Sequence, residues 1–156
     1  MTKRKYDKNN MIINNEKFIS LYDGSCEGIL VGGNLSLIIS TLGTEYEIDT
    51  KNKILFIEEV GEFTYKIDKM LNHLQMAGKF DECIGIIFGE FTNCHKAFKN
   101  DDGILNILEE IAMKNKKPTL CNLKSGHCIP MVTIPLGMVC HMNSCNKTII
   151  INRKEG

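Results

Sequence analysis

The sequence predicts a mixed α/β domain with about three helices. Three observations carry that prediction. Short apolar runs rich in Ile, Leu, Val and Phe alternate with segments of helical period, and glycines punctuate the boundaries between them. After Pro118 the helical pattern stops and only short strand-like runs follow. At 156 residues the chain fits one domain, long enough to bury a core.

Residues 1–16 are rich in Lys and Asn and carry little apolar content beyond Met11, Ile12 and Ile13, so they are expected to form a flexible N-terminal segment, with the folded domain spanning 17–156. Phe18 to Tyr22 reads as a short strand closed by a turn at Asp23-Gly24-Ser25. Ile29 to Val31 reads as another, ended by Gly32-Gly33. Asn34 is placed as a helix N-cap. Leu35, Ile38, Ile39 and Leu42 follow at i, i+3, i+4 and i+7 on one face, with Gly43 at the C′ position. A glycine pair before a helix can cradle an anion. With no dinucleotide fingerprint around it, a tight turn is the favoured expectation.

Ile54 to Ile57, four apolar residues in a row, reads as a strand buried on both faces. A helix over Thr64 to Ala77 presents Ile67, Met70, Leu71 and Leu74, stops at Gly78, and is expected to use Met70 and Met76 as core filler. Ile84 to Phe88 is a third buried strand closed by Gly89. The third helix is expected from Gly103 to Lys114, capped by Asp101 or Asp102, with Leu105, Leu108, Ile111 and Ala112 inward. Lys114, Lys116 and Lys117 lie at the negative end of its dipole. Thr119 to Cys121, Val132 to Ile134, Met138 to Met142 and Thr148 to Ile151 read as closing strands, the last two as a hairpin around Asn143-Ser144.

Lys+Arg and Asp+Glu number 19 each, so no net field draws in nucleic acid or a membrane surface. No apolar run approaches the ~20 residues of a membrane span. The basic start is not followed by the apolar stretch of a signal peptide, so a cytoplasmic location is expected. Seven cysteines without a signal sequence read as reduced thiols. Cys94-His95, His127-Cys128 and Cys140-His141 with Cys145 place metal-ligating types side by side, but no C-x-x-C occurs and adjacent strand residues point to opposite faces, so a structural zinc is not expected. His73 and His95 are expected to be exposed, and His141 to be a structural strand residue.

Two stretches stand out chemically. Glu58, Glu59 and Glu62 follow the Ile54–Ile57 run, at the carboxyl end of a strand where open sheets present functional side chains. Spacing alone favours a solvated acidic turn. Ser125-Gly126-His127-Cys128-Ile129-Pro130 holds a lone histidine in a loop bracketed by Gly and Pro. Were Glu58 to accept a hydrogen bond from one ring nitrogen of His127, the other nitrogen would be left as a general base. None of the serines (Ser20, Ser25, Ser36, Ser40, Ser125, Ser144) lies in a Gly-x-Ser-x-Gly elbow, and Cys128 is a distant candidate nucleophile.

Four ordered blocks resemble one family. Gly28 to Leu37 with Leu42-Gly43-Thr44, Ile54 to Glu62, Tyr65 to Leu71 with Ala77-Gly78, and Gly126-His127 with Pro130 and Pro135-Leu136-Gly137 are similar to the C-terminal domain of LD-carboxypeptidases. These are serine peptidases that include murein tetrapeptide carboxypeptidases and microcin self-immunity peptidases. The resemblance runs from about Phe18 to Ile151 and implies a swivelling β/β/α domain with a mixed sheet. It implies Glu58 as the acid and His127 as the base of a Ser-His-Glu triad, with Glu62 as the alternative acid. Glu59 stands where an aspartate is more usual, and Lys66 and Lys69 where arginines are common. The nucleophilic serine belongs to an N-terminal domain that has no counterpart in these residues, so this chain alone is expected to be inactive. The implied substrate is a murein peptide losing its terminal D-alanine during peptidoglycan recycling. The implied partners are that serine-bearing domain and, as a further expectation, a second copy of the chain. The competing reading is a non-enzymatic remnant that binds a peptide or partner.

Overall fold

A computed structural model describes residues 3–7, 10–100 and 102–152. Among the described residues nine strands form one mixed sheet. They are β1 (Lys3–Asp7), β2 (Asn10–Asn14), β3 (Ile19–Tyr22), β4 (Ser25–Asn34), β5 (Lys53–Val60), β6 (Gly85–Thr92), β7 (Thr119–Cys121), β8 (Val139–Asn143) and β9 (Thr148–Asn152). Their spatial order is β1-β2-β9-β8-β4-β5-β6-β7-β3. The centre, β4 to β7, is parallel, and the flanking strands are antiparallel. Three longer helices, α1 (Leu35–Thr41), α2 (Thr64–Met76) and α4 (Ile104–Asn115), make the crossovers, and α3 (Lys79–Glu82) adds a single turn before β6. The expected mixed α/β architecture with about three helices is what the chain adopts.

Alternation along β5 builds two cores. Leu55 and Ile57 face Leu35, Ile67, Leu71, Leu74, Leu108 and Ile111 of the helical layer. Ile54 and Phe56 face the opposite core, closed by Met11, Ile13, Ile149 and Ile151 of the antiparallel strands and by Leu123 and Val132 of a long loop. A parallel strand covered on both faces needs apolar residues at every position, which is why this run shows no polar alternation.

Several expectations change. Residues 10–14 are not a frayed end: β2 pairs with β9 and buries Met11 and Ile13, so two apolar side chains suffice to dock an otherwise polar segment. Gly32 and Gly33 do not end their strand, because both keep pairing with β5, opposite Phe56 and Ile57, and β4 runs on to Asn34. Gly89 likewise lies inside β6. The third helix takes Gly103 as its N-cap with no side-chain cap bond, so Asp102 does not cap it; Asp101 lies outside the described residues. Its inward face is Ile107, Leu108, Ile111 and Ala112, while Leu105 is exposed. Met76 is exposed at the end of α2 rather than filling the core. Val132 to Ile134 is not a strand. Pro130 and Pro135 flank it without donors, and Val132 packs inward while its N–H bonds Lys124 O at 2.6 Å. Asn34 does cap α1, its side chain accepting from Leu37 N. Among the described residues no helix is long and apolar enough to cross a membrane.

Candidate active site

The site forms where β5 ends and its pairing with β6 slips. Ile57 pairs with Phe88 and Glu59 with Phe91, so Glu58 alone faces two residues of β6, Gly89 and Glu90. A bulge of this kind breaks the ladder locally and re-aims side chains. The Glu90 N–H turns to Ser125 O at 3.1 Å, and Leu123 N reaches Phe88 O at 3.3 Å. The irregularity in the sheet therefore anchors the loop that carries His127.

Two glycines admit that loop. A Cβ at Gly89 would lie 2.7 Å from Ser125 O, and one at Gly126 would lie 2.5 Å from Glu58 Oε2. Gly126 also has φ +116°, which side-chain-bearing residues rarely adopt. With both positions bare, the loop lies flat on the sheet end and His127 Nδ1 meets Glu58 Oε2 at 2.9 Å, across 69 positions of sequence. The carboxylate is buried, its side chain 5% exposed, while the imidazole is 58% exposed. Among the described residues no group bonds the other ring nitrogen. The hydrogen bond donated to Glu58, then the charge of that carboxylate, holds the His127 pKa above the ordinary 6.5, against the opposing effect of desolvation.

Glu59, adjacent in sequence, points to the opposite face, as strand alternation requires. Its Oε1 accepts Asn34 Nδ2 at 2.9 Å and Val60 N at 2.8 Å. Its Oε2 accepts Ser36 N at 2.8 Å and Ser36 Oγ at 2.6 Å. Burial alone would raise its pKa, but these bonds outweigh burial and hold the carboxyl below the ordinary carboxylate value. The sequence assigns no role to this position beyond a glutamate where an aspartate is more usual. The only available signal was a second carboxylate in a strand that otherwise reads as wholly apolar. Glu62 lies beyond Gly61 and pairs with Lys66 at 3.0 Å, so the bond to His127 is made by Glu58 and not by the alternative acid.

Of the remaining candidates, Ser25 is exposed at the start of β4. Ser36 is held by Glu59, Ser144 bonds Tyr22 O and Gly24 O, Ser20 bonds Asp23, and Ser40 bonds Leu37 O. Ser125 is buried, and its peptide groups fix the loop. Burial, followed by the charge of Glu90, pushes the Cys128 thiol up, which disfavours the thiolate a cysteine nucleophile needs. His141 is exposed and pairs across the sheet with Glu27, while His73 and His95 are exposed as expected. Among the described residues no three His, Cys, Asp or Glu side chains are grouped to hold a metal.

Residues 27–142 match the family described as the LD-carboxypeptidase C-terminal domain. The chain belongs to the LD-carboxypeptidase family. A probable murein peptide carboxypeptidase of Bacillus subtilis is 44% identical to this chain over 132 residues, covering 84% of the chain and 41% of that protein. The microcin C7 self-immunity protein MccF of Escherichia coli is 29% identical over 134 residues, covering 84% and 38%. Among solved structures, muramoyltetrapeptide carboxypeptidase from Oxalobacter formigenes superposes with a TM-score of 0.78 at 25% identity, over 92% of this chain and 48% of that one. MccF in complex with glutamyl sulfamoyl guanosine gives the same TM-score and identity over 91% and 42%. This chain thus spans less than half the length of these relatives.

Proposed function

We propose that Glu58 and His127 are the acid and base of a Ser-His-Glu triad in a serine LD-carboxypeptidase that removes the terminal D-alanine of a murein tetrapeptide. The serine is supplied from outside these 156 residues. The observation that carries this reading is the 2.9 Å bond between a buried carboxylate and an exposed imidazole. Glu58 fixes the tautomer with hydrogen on Nδ1, leaving Nε2 free to accept a proton, and its charge strengthens the base. Nε2 takes the serine proton as the oxygen attacks the carbonyl of the L,D-peptide bond, and Glu58 stabilises the imidazolium. That proton passes to the leaving D-alanine amine as the C–N bond breaks. Water, deprotonated by the same nitrogen, then releases the acyl group and restores the serine. A cytoplasmic role in peptidoglycan recycling fits a substrate of this class. The B. subtilis relative's name supports the murein peptide, and the chemistry asks for no cofactor.

Combining this chain with a separately produced serine-bearing segment of the B. subtilis relative, and following D-alanine release from murein tetrapeptide, tests the reading. Release that depends on both parts and drops at least about 10³-fold in His127→Ala is expected. Equal release with and without His127 would refute it. A second reading, a peptide- or partner-binding module without catalysis, draws on the apolar rim beside His127. Ile129 is fully exposed, with Met131 and Leu136 about half exposed. Tetrapeptide binding by the chain alone, indifferent to His127→Ala, would favour it, as would dimerisation in sedimentation that is lost on making Ile129 and Leu136 polar.

A further inference from the structure

Glu58 has an unusual backbone setting for a residue whose side chain must meet a partner within hydrogen-bond distance. On the β6 side its ladder is interrupted by the bulge, and the free Glu90 N–H belongs to the His127 loop instead. On the β4 side its pairing partner is Asn34, the last residue of that strand. Regular sheet bonding therefore fails on one flank of Glu58 and ends on the other. Pairing with β6 resumes just beyond it, at Glu59–Phe91 and Val60–Thr92, so the residue whose carboxylate meets Nδ1 sits at the break in the ladder.

The opposite face adds a restraint at that break. Glu59 is 2% exposed, and its two oxygens accept four hydrogen bonds, which fills a carboxylate's capacity. One donor is the next peptide N–H of β5 itself, Val60 N. The other three come from Asn34 and Ser36, the cap and the first turn of α1. Asn34 is both the ladder partner of Glu58 and a donor to Glu59, while its Oδ1 accepts from Leu37 N at 3.2 Å. The clamp thus ties the end of β5 to the end of β4 and to α1 at the register of Glu58.

We infer that Glu59 is a positioning residue: through Asn34, Ser36 and Val60 it holds the end of β5 so that Glu58 reaches His127. This rests on the reading of Glu58 and His127 as the acid and base. The negative charge matters because all four partners donate. A glutamine of the same shape would turn an N–H₂ toward at least one fixed N–H donor and break that bond. Asn34 and Ser36 are then part of the same device, although neither touches His127.

The test is the titration of the His127 ring by NMR in the full chain, with folding checked by circular dichroism. Glu58→Gln sets the scale by lowering the His127 midpoint. Glu59→Gln is expected to lower it by most of that interval. Because Glu59 also carries a charge near the ring, the deciding variant is Asn34→Ala/Ser36→Ala, which keeps the carboxylate and removes three of its donors. It should also lower the midpoint, whereas Glu59→Asp, retaining charge but with a shorter reach, should fall between it and wild type. A folded Asn34→Ala/Ser36→Ala chain that titrates like wild type would overturn the inference while leaving the Glu58–His127 pair standing. An unchanged midpoint in Glu58→Gln would overturn both.

Discussion

Glu58 and Glu59 are neighbours in sequence and almost equally buried, yet they sit in opposite circumstances. Glu59 is enclosed by four donors on the helical side, each from a segment close to β4, β5 or α1. Among the described residues Glu58 has one side-chain partner, an exposed imidazole on a loop 69 residues away. The first arrangement is a closed network, satisfied without anything from outside. The second leaves one ring nitrogen open to the surroundings. The difference teaches that burial alone does not mark a functional carboxylate; what its partner leaves unsatisfied does.

The contrast can be broken most severely from the helical side. Leu71 is fully buried against β5, and Leu71→Ala should cost about 2–5 kcal/mol in denaturant unfolding. Because Leu71 is not among the donors to Glu59, the His127 midpoint in the folded variant should not move.

Gly126→Ala attacks the other face. The new methyl would fall 2.5 Å from Glu58 Oε2 on a backbone at φ +116°. A loss of about 1–3 kcal/mol is expected, together with a lowered His127 midpoint as the carboxylate is pushed away. Unaltered titration in the folded variant would mean that the loop adapts and that the glycine is not what admits it.

The smallest effect is the most discriminating, because pH separates the two carboxylates. The His127 pKa is raised, so the stability from its pair with Glu58 is fully present below the ordinary 6.5 and is lost as pH rises through the raised value. The Glu59 pKa is lowered, so its contribution is present above the ordinary 4.5 and is lost as pH falls through the lowered value. Thermal melts across pH should therefore show Glu58→Gln differing from wild type most below 6.5, with the difference shrinking on the alkaline side. Melts of Glu59→Gln should converge with wild type only in strong acid. The reverse assignment of the two windows would undo the comparison.

Much of this was legible in one dimension. The four-residue run Ile54 to Ile57 reads as a strand covered on both faces, and Asn34 and Gly43 bracket α1 as their backbone preferences require. Glycine, by contrast, misled: at Gly32, Gly33 and Gly89 it was read as an end, whereas ladder pairing carries the strand through. Glycine marks where a side chain is unwelcome, and sequence cannot say whether a turn or a close neighbour is the cause. At Gly89 it is the His127 loop. Docking of β2 was equally invisible, since Met11 and Ile13 gain their value only from a surface that β9 provides.

By itself, then, the sequence determined the α/β class, the main crossovers and the identity of Glu58 and His127 as a candidate pair, because local period, capping and block order are written in neighbouring residues. Only the tertiary structure decided that the pair meets through Nδ1, that a slipped register between β5 and β6 carries the histidine loop, and that Glu59 is clamped behind it. Those facts depend on contacts between segments far apart in the chain, and such contacts are selected by how whole surfaces pack rather than by any stretch of residues alone.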